Sequence, residues 1–304
     1  MQTSEVLKRK ISTAQDLQSV VRTMKSLAAV SIRQYQKAVE SLNEYKKTLE
    51  MGLQIVLKDR SIDLPFPEPK PPNHLGAIIF GSDQGLCGPL NALIASHALQ
   101  SMEELGVNRK NRTVLTIGMR LQGHLEEKNQ DIFENLPPPS SVAGITSSVQ
   151  EVLLILEEWR FNLSIDSVIL YYHESMSGFS YRPCTQQLLP VDLRWLRDIQ
   201  GRKWQSRTLP IYRMGGDDLF AALVREHLFV SLYRALAESS ASENASRLAT
   251  MQSAEKNIGD HLDELGTLFH RQRQSTITEE LLDILAGFEV LNEKKSNSRR
   301  KESW

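Results

Sequence analysis

Along the last third of the chain, apolar residues recur at three- and four-residue steps. Leu219, Leu223, Leu228, Leu232, Leu236, Leu248, Ile258, Leu262, Leu265, Phe269, Ile277, Leu281, Ile284, Leu285 and Phe288 trace one helical stripe. The last proline is Pro210, so nothing beyond it forbids a helix. Gly215, Gly216, Asp217 and Asp218 read as a turn and an N-cap, with acidic residues at the positive helix end. The pattern predicts one helix from Asp217 to about Leu291, roughly 110 Å long at 1.5 Å per residue. A helix of that length needs a partner along its side, and the N-terminus supplies one. From Glu5 to about Leu57 there is no proline and a single glycine, Gly52. Leu7, Ile11, Ala14, Leu17, Val21, Met24, Ala28, Ile32, Tyr35, Leu42, Tyr45, Leu49, Leu53 and Val56 step by three or four, close to the 3.5-residue period of a left-handed supercoil. The Ala- and Ser-rich stretch from Ala235 to Ala254 would let two backbones approach closely.

Between the two stripes the texture changes. Pro65, Pro67, Pro69, Pro71 and Pro72 form an extended linker. Leu75–Phe80 is a buried-strand pattern, Gly81–Gly88 a glycine-punctuated loop, and Leu90–Leu105 an amphipathic helix. Arg112–Gly118 reads as a second strand, with a short helix after it to about Lys128. Ser147 and Ser148 are expected to cap a helix reaching Asn162. Ile165–His173 is a third strand, and Tyr181–Pro190 an edge strand, since Pro183 is poorly tolerated inside a sheet. Strands alternating with helices predict a largely parallel sheet. The expected fold is α+β: a long antiparallel two-helix coiled coil carrying an inserted small α/β, Rossmann-like domain. The divisions are an N-terminal helix at 1–60, a linker at 61–72, the inserted domain at 73–210, a C-terminal helix at 211–291 and a disordered basic tail at 292–304.

Composition changes this picture little. With 36 Lys and Arg against 37 Asp and Glu, the net charge of −1 excludes bulk polyanion binding. The first forty residues and the last ten are nonetheless basic. Few aromatics interleave with the N-terminal cations, which favours a solvated or partner-facing flank over a nucleic-acid surface. Cys87 and Cys184 lie far apart and have no metal-ligand spacing, which fits a reducing compartment. No apolar run approaches the length of a membrane span, and a helical pattern starting near Met1 leaves no room for a signal or transit peptide in the chain as given.

The chemistry-bearing motifs are sparse. The loop Gly81–Gly88 follows a strand and precedes a helix, where a phosphate loop would sit. No Lys-Ser/Thr pair follows Gly88, and the glycine spacing is not a dinucleotide fingerprint. A tight turn is the alternative, and on that reading Gly85→Ala is expected to perturb folding or assembly. The seven histidines show no metal spacing, and no nucleophile–base arrangement stands out. No cofactor or metal is expected. Near the end, Gln274 and Thr278 border the apolar stripe on one side, and Arg273 and Glu280 on the other. That arrangement suits either an ordinary coiled-coil flank or a helix whose polar edges meet an encircling protein.

Three separated segments resemble the gamma subunit of the F-type ATP synthase, the central rotor shaft. They are Lys10-Ile11 with Met24–Ala29; Ser82–Gly88, close to the family's SDRGLCG; and Ala241–Arg247 with Arg273–Leu281, close to ASExAAR and RQAxITxEL. Their order and spacing agree with the family over almost the whole chain. The resemblance implies a non-catalytic antiparallel coiled coil turning inside a ring of alpha and beta subunits. Its foot would rest on the membrane c-ring beside an epsilon-type subunit, placing it as a peripheral protein on the cytoplasmic face of a bacterial inner membrane. It also implies partner contacts at Met24, Arg273, Gln274, Thr278 and Glu280. The chain departs from the pattern at Asp16, Ser19, Gln84, Pro89 and Phe288 and in its basic tail, as a divergent bacterial-type member would. A coiled-coil scaffold or adaptor carrying an α/β module, and a nucleotide enzyme using the glycine loop, are the competing readings.

Overall fold

The computed structural model describes residues 4–59, 72–176, 179–204, 208 and 210–301, with backbone alone from 288 onward. The element order is α1 (Ser4–Asp59), β1 (Leu75–Phe80), α2 (Leu90–Glu104), β2 (Arg112–Ile117), α3 (Met119–Glu126), β3 (Glu134–Leu136), α4 (Ile145–Asn162), β4 (Ser167–Ser175), β5 (Tyr181–Leu189), α5 (Leu193–Gly201) and α6 (Gly216–Lys301). Two long terminal helices flanking an α/β sheet are the expected architecture. The proline linker at 61–72 falls almost wholly outside the described residues.

The chain divides into two compact units, one of Ser26–Thr250 and one of Met1–Lys25 with Met251–Trp304. In the larger unit a five-stranded sheet has the order β3-β2-β1-β4-β5, parallel except for the antiparallel β4–β5 pair. Alternation along β1 and β4 feeds two cores. Ala77, Ile79, Ile169 and Tyr171 pack with Ile94, Ala98 and Leu121 of α2 and α3. Ile78, Phe80, Leu170 and Tyr172 pack with Val152, Leu156 and Trp159 of α4 and with Tyr35, Leu232 and Leu236 of the long helices. β5 is the edge strand, with Pro183 opposite His173, which suits a residue that cannot donate to a ladder. Within this unit the helix pair is antiparallel: Ala28 and Ile32 pack with Ala245 and Leu248, and Leu49 and Leu53 with Val230.

In the smaller unit Glu255 receives Arg22 at 2.8 Å and Lys25 at 2.5 Å, and the position of a Gly259 side chain lies 4.0 Å from Gln18. These are antiparallel pairings as well. Leu7 and Leu265 are buried, whereas Leu17 of the predicted stripe is exposed.

Several expectations are corrected. The backbone of α6 is helical to Lys301, beyond the end predicted at 291 and into the stretch read as a disordered tail. After Gly287 no glycine or proline interrupts the run, and its Lys, Glu and Arg residues are good helix formers. Helix α4 starts at Ile145 after a short 3-10 turn, with Gly144 rather than Ser147 or Ser148 at its cap. The three-residue β3 and helix α5 were not anticipated. Helix α5 is nucleated by Asp192, whose carboxylate accepts the Arg194 amide at 2.8 Å, and it packs Leu196 and Ile199 against Leu49, Leu53 and Leu57.

Candidate functional site

The strand order reverses between β1 and β4, the position where open α/β sheets bind nucleotides. The glycine loop leaves β1 there, and the Ser82 and Asp83 groups in it are already engaged. The Ser82 amide donates to Asn91 Oδ1 at 3.0 Å, and Asn91 Nδ2 donates to Ser82 Oγ at 2.8 Å. Asp83 Oδ1 accepts the Met119 amide at 2.8 Å and so holds the start of α3. Cys87 Sγ lies 3.3 Å from Ser82 Oγ, buried.

Helix α6 closes the far side of this crevice. Ser246 Oγ donates to the Cys87 carbonyl at 2.5 Å and lies 2.9 Å from the Tyr181 hydroxyl, while Ser242 Oγ donates to the His173 carbonyl at 3.1 Å. A side chain at Gly88, where φ is +58°, would lie 3.2 Å from Ser246 Oγ. Small residues on α6 therefore let it pack directly against the end of the loop. Behind them, Glu243 and Arg247 form a largely buried pair at 2.5 Å. Burial pushes the Glu243 carboxyl upward, and Arg247 opposes that shift. The two sequence motifs around 82–88 and 241–247 are thus the two halves of one docking seam.

The seam also changes the reading of the glycines. A side chain at Gly85 would meet nothing closer than Arg120 at 4.0 Å, so Gly85→Ala should be tolerated. Gly118 is a constrained position, at φ +116°, where a Cβ would lie 2.7 Å from the Ser82 backbone, and Gly81 is another, where a Cβ would lie 2.5 Å from Leu121. His173 was missed as well. It is fully buried, with neither ring nitrogen hydrogen-bonded among the described residues, its ring edge-on to Tyr181, and burial lowers its pKa to about 4. Its place at the end of an apolar strand gave no polar signal in the sequence.

The smaller unit carries the second surface. Arg273, Gln274, Thr278 and Glu280 are all exposed on α6. Thr278 Oγ1 donates to the Gln274 carbonyl at 2.9 Å, within the helix. Among the described residues the side chains of Arg273, Gln274 and Glu280 have no hydrogen bond or ion pair. The apolar stripe between them was expected to lie against the N-terminal helix, and it does not. Ile277, Leu281, Ile284 and Leu285 are 46, 56, 60 and 60% exposed. The register agrees with this: with Gln18 beside Gly259, Ser4, the first described residue of α1, falls opposite about residue 273, so the described part of α1 does not reach the more distal turns of α6. The Phe288 side chain lies outside the described part. Met24, half-buried on α1, falls opposite about residue 253, roughly 30 Å along the helix from Arg273. The implied contact residues therefore form two separate surfaces.

A family profile described as ATP synthase matches residues 3–291. The chain is 26% identical to the ATP synthase gamma chain of Nostoc sp., covering 94% of this chain and 98% of that one, and 26% identical to the gamma chain of Brevibacillus brevis, covering 92% and 96%. Among solved structures it is similar in fold to a chain of the Euglena gracilis mitochondrial ATP synthase (OSCP/F1/c-ring, rotational state 3). That match has a TM-score of 0.64 at 15% identity, covering 96% of this chain and 95% of the other. A chain of the Tetrahymena thermophila mitochondrial ATP synthase central stalk and c-ring gives a TM-score of 0.56 at 20% identity, covering 77% and 99%. A profile match over residues 3–291, together with gamma chains aligned over nearly the whole chain, shows that the chain belongs to the ATP synthase gamma-chain family.

Proposed function

We propose that this chain is the non-catalytic central-stalk subunit of a rotary F-type ATP synthase. It would couple ion flow through a membrane c-ring to ATP synthesis or hydrolysis in a ring of alpha and beta subunits. The observation that carries the reading is the exposed stripe from Ile277 to Leu285, bordered by Arg273, Gln274, Thr278 and Glu280, on turns of α6 that the described part of α1 does not reach. Exposed apolar surface in such a continuous strip calls for a protein around it. The 56-residue and 86-residue helices supply the stiffness a shaft needs. A lone helix end inside a threefold ring presents a different face to each catalytic subunit.

The non-catalytic reading is supported by the crevice: α6 packs against the glycine loop where a nucleotide would bind, so the ATP chemistry is assigned to the partners. The inserted domain, 73–210, sits between the helical segments 1–60 and 211–291. An epsilon-type subunit and the c-ring are the partners proposed for the opposite end. Among the described residues no helix is long and apolar enough to cross a membrane, and we assign the chain to the cytoplasmic face of a bacterial inner membrane as a peripheral subunit. Affinity purification of the tagged full chain, with subunit identification, tests this. Alpha, beta, epsilon and c subunits in stoichiometric amounts are the expected result. A self-associated chain lacking alpha and beta would overturn it in favour of a scaffold.

A further inference from the structure

A polar cavity of about 230 Å³ lies in the larger unit where α1, the β4–β5 edge and α6 meet. Two cations face it, Lys46 from α1 and Arg234 from α6. Arg234 uses Nε to hold Glu238 at 2.7 Å, and among the described residues its terminal nitrogens have no hydrogen-bond partner. The nearest carboxylate to Lys46 is Glu50 at 3.9 Å, and Glu50 is itself held by Arg202 at 2.6 Å.

The rest of the wall offers mostly donors. Ser231 is buried and has no hydrogen-bond partner among the described residues. The Gln186 carbonyl accepts from the Tyr172 hydroxyl at 3.3 Å, which leaves its amide hydrogens for the cavity. Glu174 is the one carboxylate on the wall, and Arg182 grips one of its oxygens through Nε at 2.9 Å and Nη2 at 2.7 Å. His227 completes the lining, stacked on Trp195 at 4.3 Å. Burial, and secondarily Lys46, lowers its pKa to about 4, so it is neutral near pH 7. Incompletely paired cations in a partly buried recess call for a counter-anion.

We propose that this cavity binds a small oxyanion of phosphate or carboxylate chemistry, held by Lys46, Arg234, Ser231 and the Gln186 amide. Guanidinium and ammonium donors suit such an anion. The volume lies below the ~300–1,000 Å³ of sites for drug-sized ligands, which favours a small anion over a nucleotide. An anion there ties α1, β5 and α6 together, so its binding stabilises the fold by mass action.

The test uses the full chain, with inorganic phosphate, acetate and adenosine monophosphate as probes in separate titrations, ionic strength being held constant with chloride. The readouts are the thermal midpoint and the His227 imidazole titration followed by NMR. Phosphate or acetate should raise the midpoint saturably and move the His227 titration upward, and whichever acts identifies the source of the oxyanion. Lys46→Gln and Ser231→Ala should each weaken the effect about tenfold, as expected for a lost hydrogen bond to a charged ligand. Both leave the Arg234–Glu238 pair intact, so both should fold. No saturable response to either small anion, an undiminished response in Lys46→Gln, or equally tight adenosine monophosphate binding would each overturn the proposal.

Discussion

Replacing Leu281, Ile284 and Leu285 together by alanine separates a helix that is finished within its own chain from one that waits for a partner. These side chains are 56, 60 and 60% exposed. Full burial of such a residue contributes ~1.5–3 kcal/mol, and slightly more than half of that remains for a partner to gain. Truncation to alanine keeps one methyl group, so each change should remove about 1 kcal/mol of association free energy. Together they come to ~3 kcal/mol, a loss of about 150-fold in affinity. The free chain should hardly respond, because exposed substitutions shift stability by roughly ±0.5 kcal/mol and alanine is the better helix former. Leu265→Ala is the contrast: Leu265 is 5% exposed, and its truncation should cost the free chain about 2–5 kcal/mol. The assay pairs the urea midpoint of the free chain with its affinity for purified alpha and beta subunits. A core-sized loss of free-chain stability in the triple variant would mean that the stripe is covered internally. Unchanged affinity for the ring subunits would mean that the stripe is not the interface.

Gln274→Ala and Glu280→Ala should assemble normally and lower coupled ATPase, the double variant more than either single one. A lost charge-assisted hydrogen bond is worth ~1.5–3 kcal/mol, and full activity in the assembled complex would make these residues ordinary solvated flank. Gly118→Ala should destabilise the chain by several kcal/mol, since the left-handed backbone costs ~1–2 kcal/mol before the contact with Ser82 is counted, whereas Gly85→Ala should leave the thermal midpoint nearly unchanged. His173 is held at about 4, below its unfolded value of 6.5, so the unfolded chain binds the extra proton and stability falls as pH drops from 6.5 toward 4. His173→Leu should remove up to ~1.4 kcal/mol per pH unit of that slope. Comparing wild type and variant in the same window cancels the opposite contributions of Glu238 and Glu243, whose raised pKa values favour the folded state as pH falls.

Much of the architecture is local and therefore legible in the residues alone. Periodicity and the absence of proline specify α1 and α6, because a helix needs only its own backbone bonds and a continuous apolar side. Alternation and β-branched runs specify β1, β2 and β4, and Pro183 marks β5 as an edge. Tertiary structure decided what each surface faces. The same leucine spacing is buried at Leu248 and Leu265 and exposed at Leu281 and Leu285, since burial depends on which turns of α6 the described part of α1 packs against at that register. The glycine loop lacks the phosphate-loop signatures in sequence, but what its end packs against is decided only when Ser246, 158 residues after Gly88, is placed there. Gly118 is demanding where Gly85 is not, because only the fold brings the Ser82 backbone beneath it. Sequence spacing reports which side of a helix or strand a residue occupies; a side's partner is set by long-range packing, which no local pattern encodes.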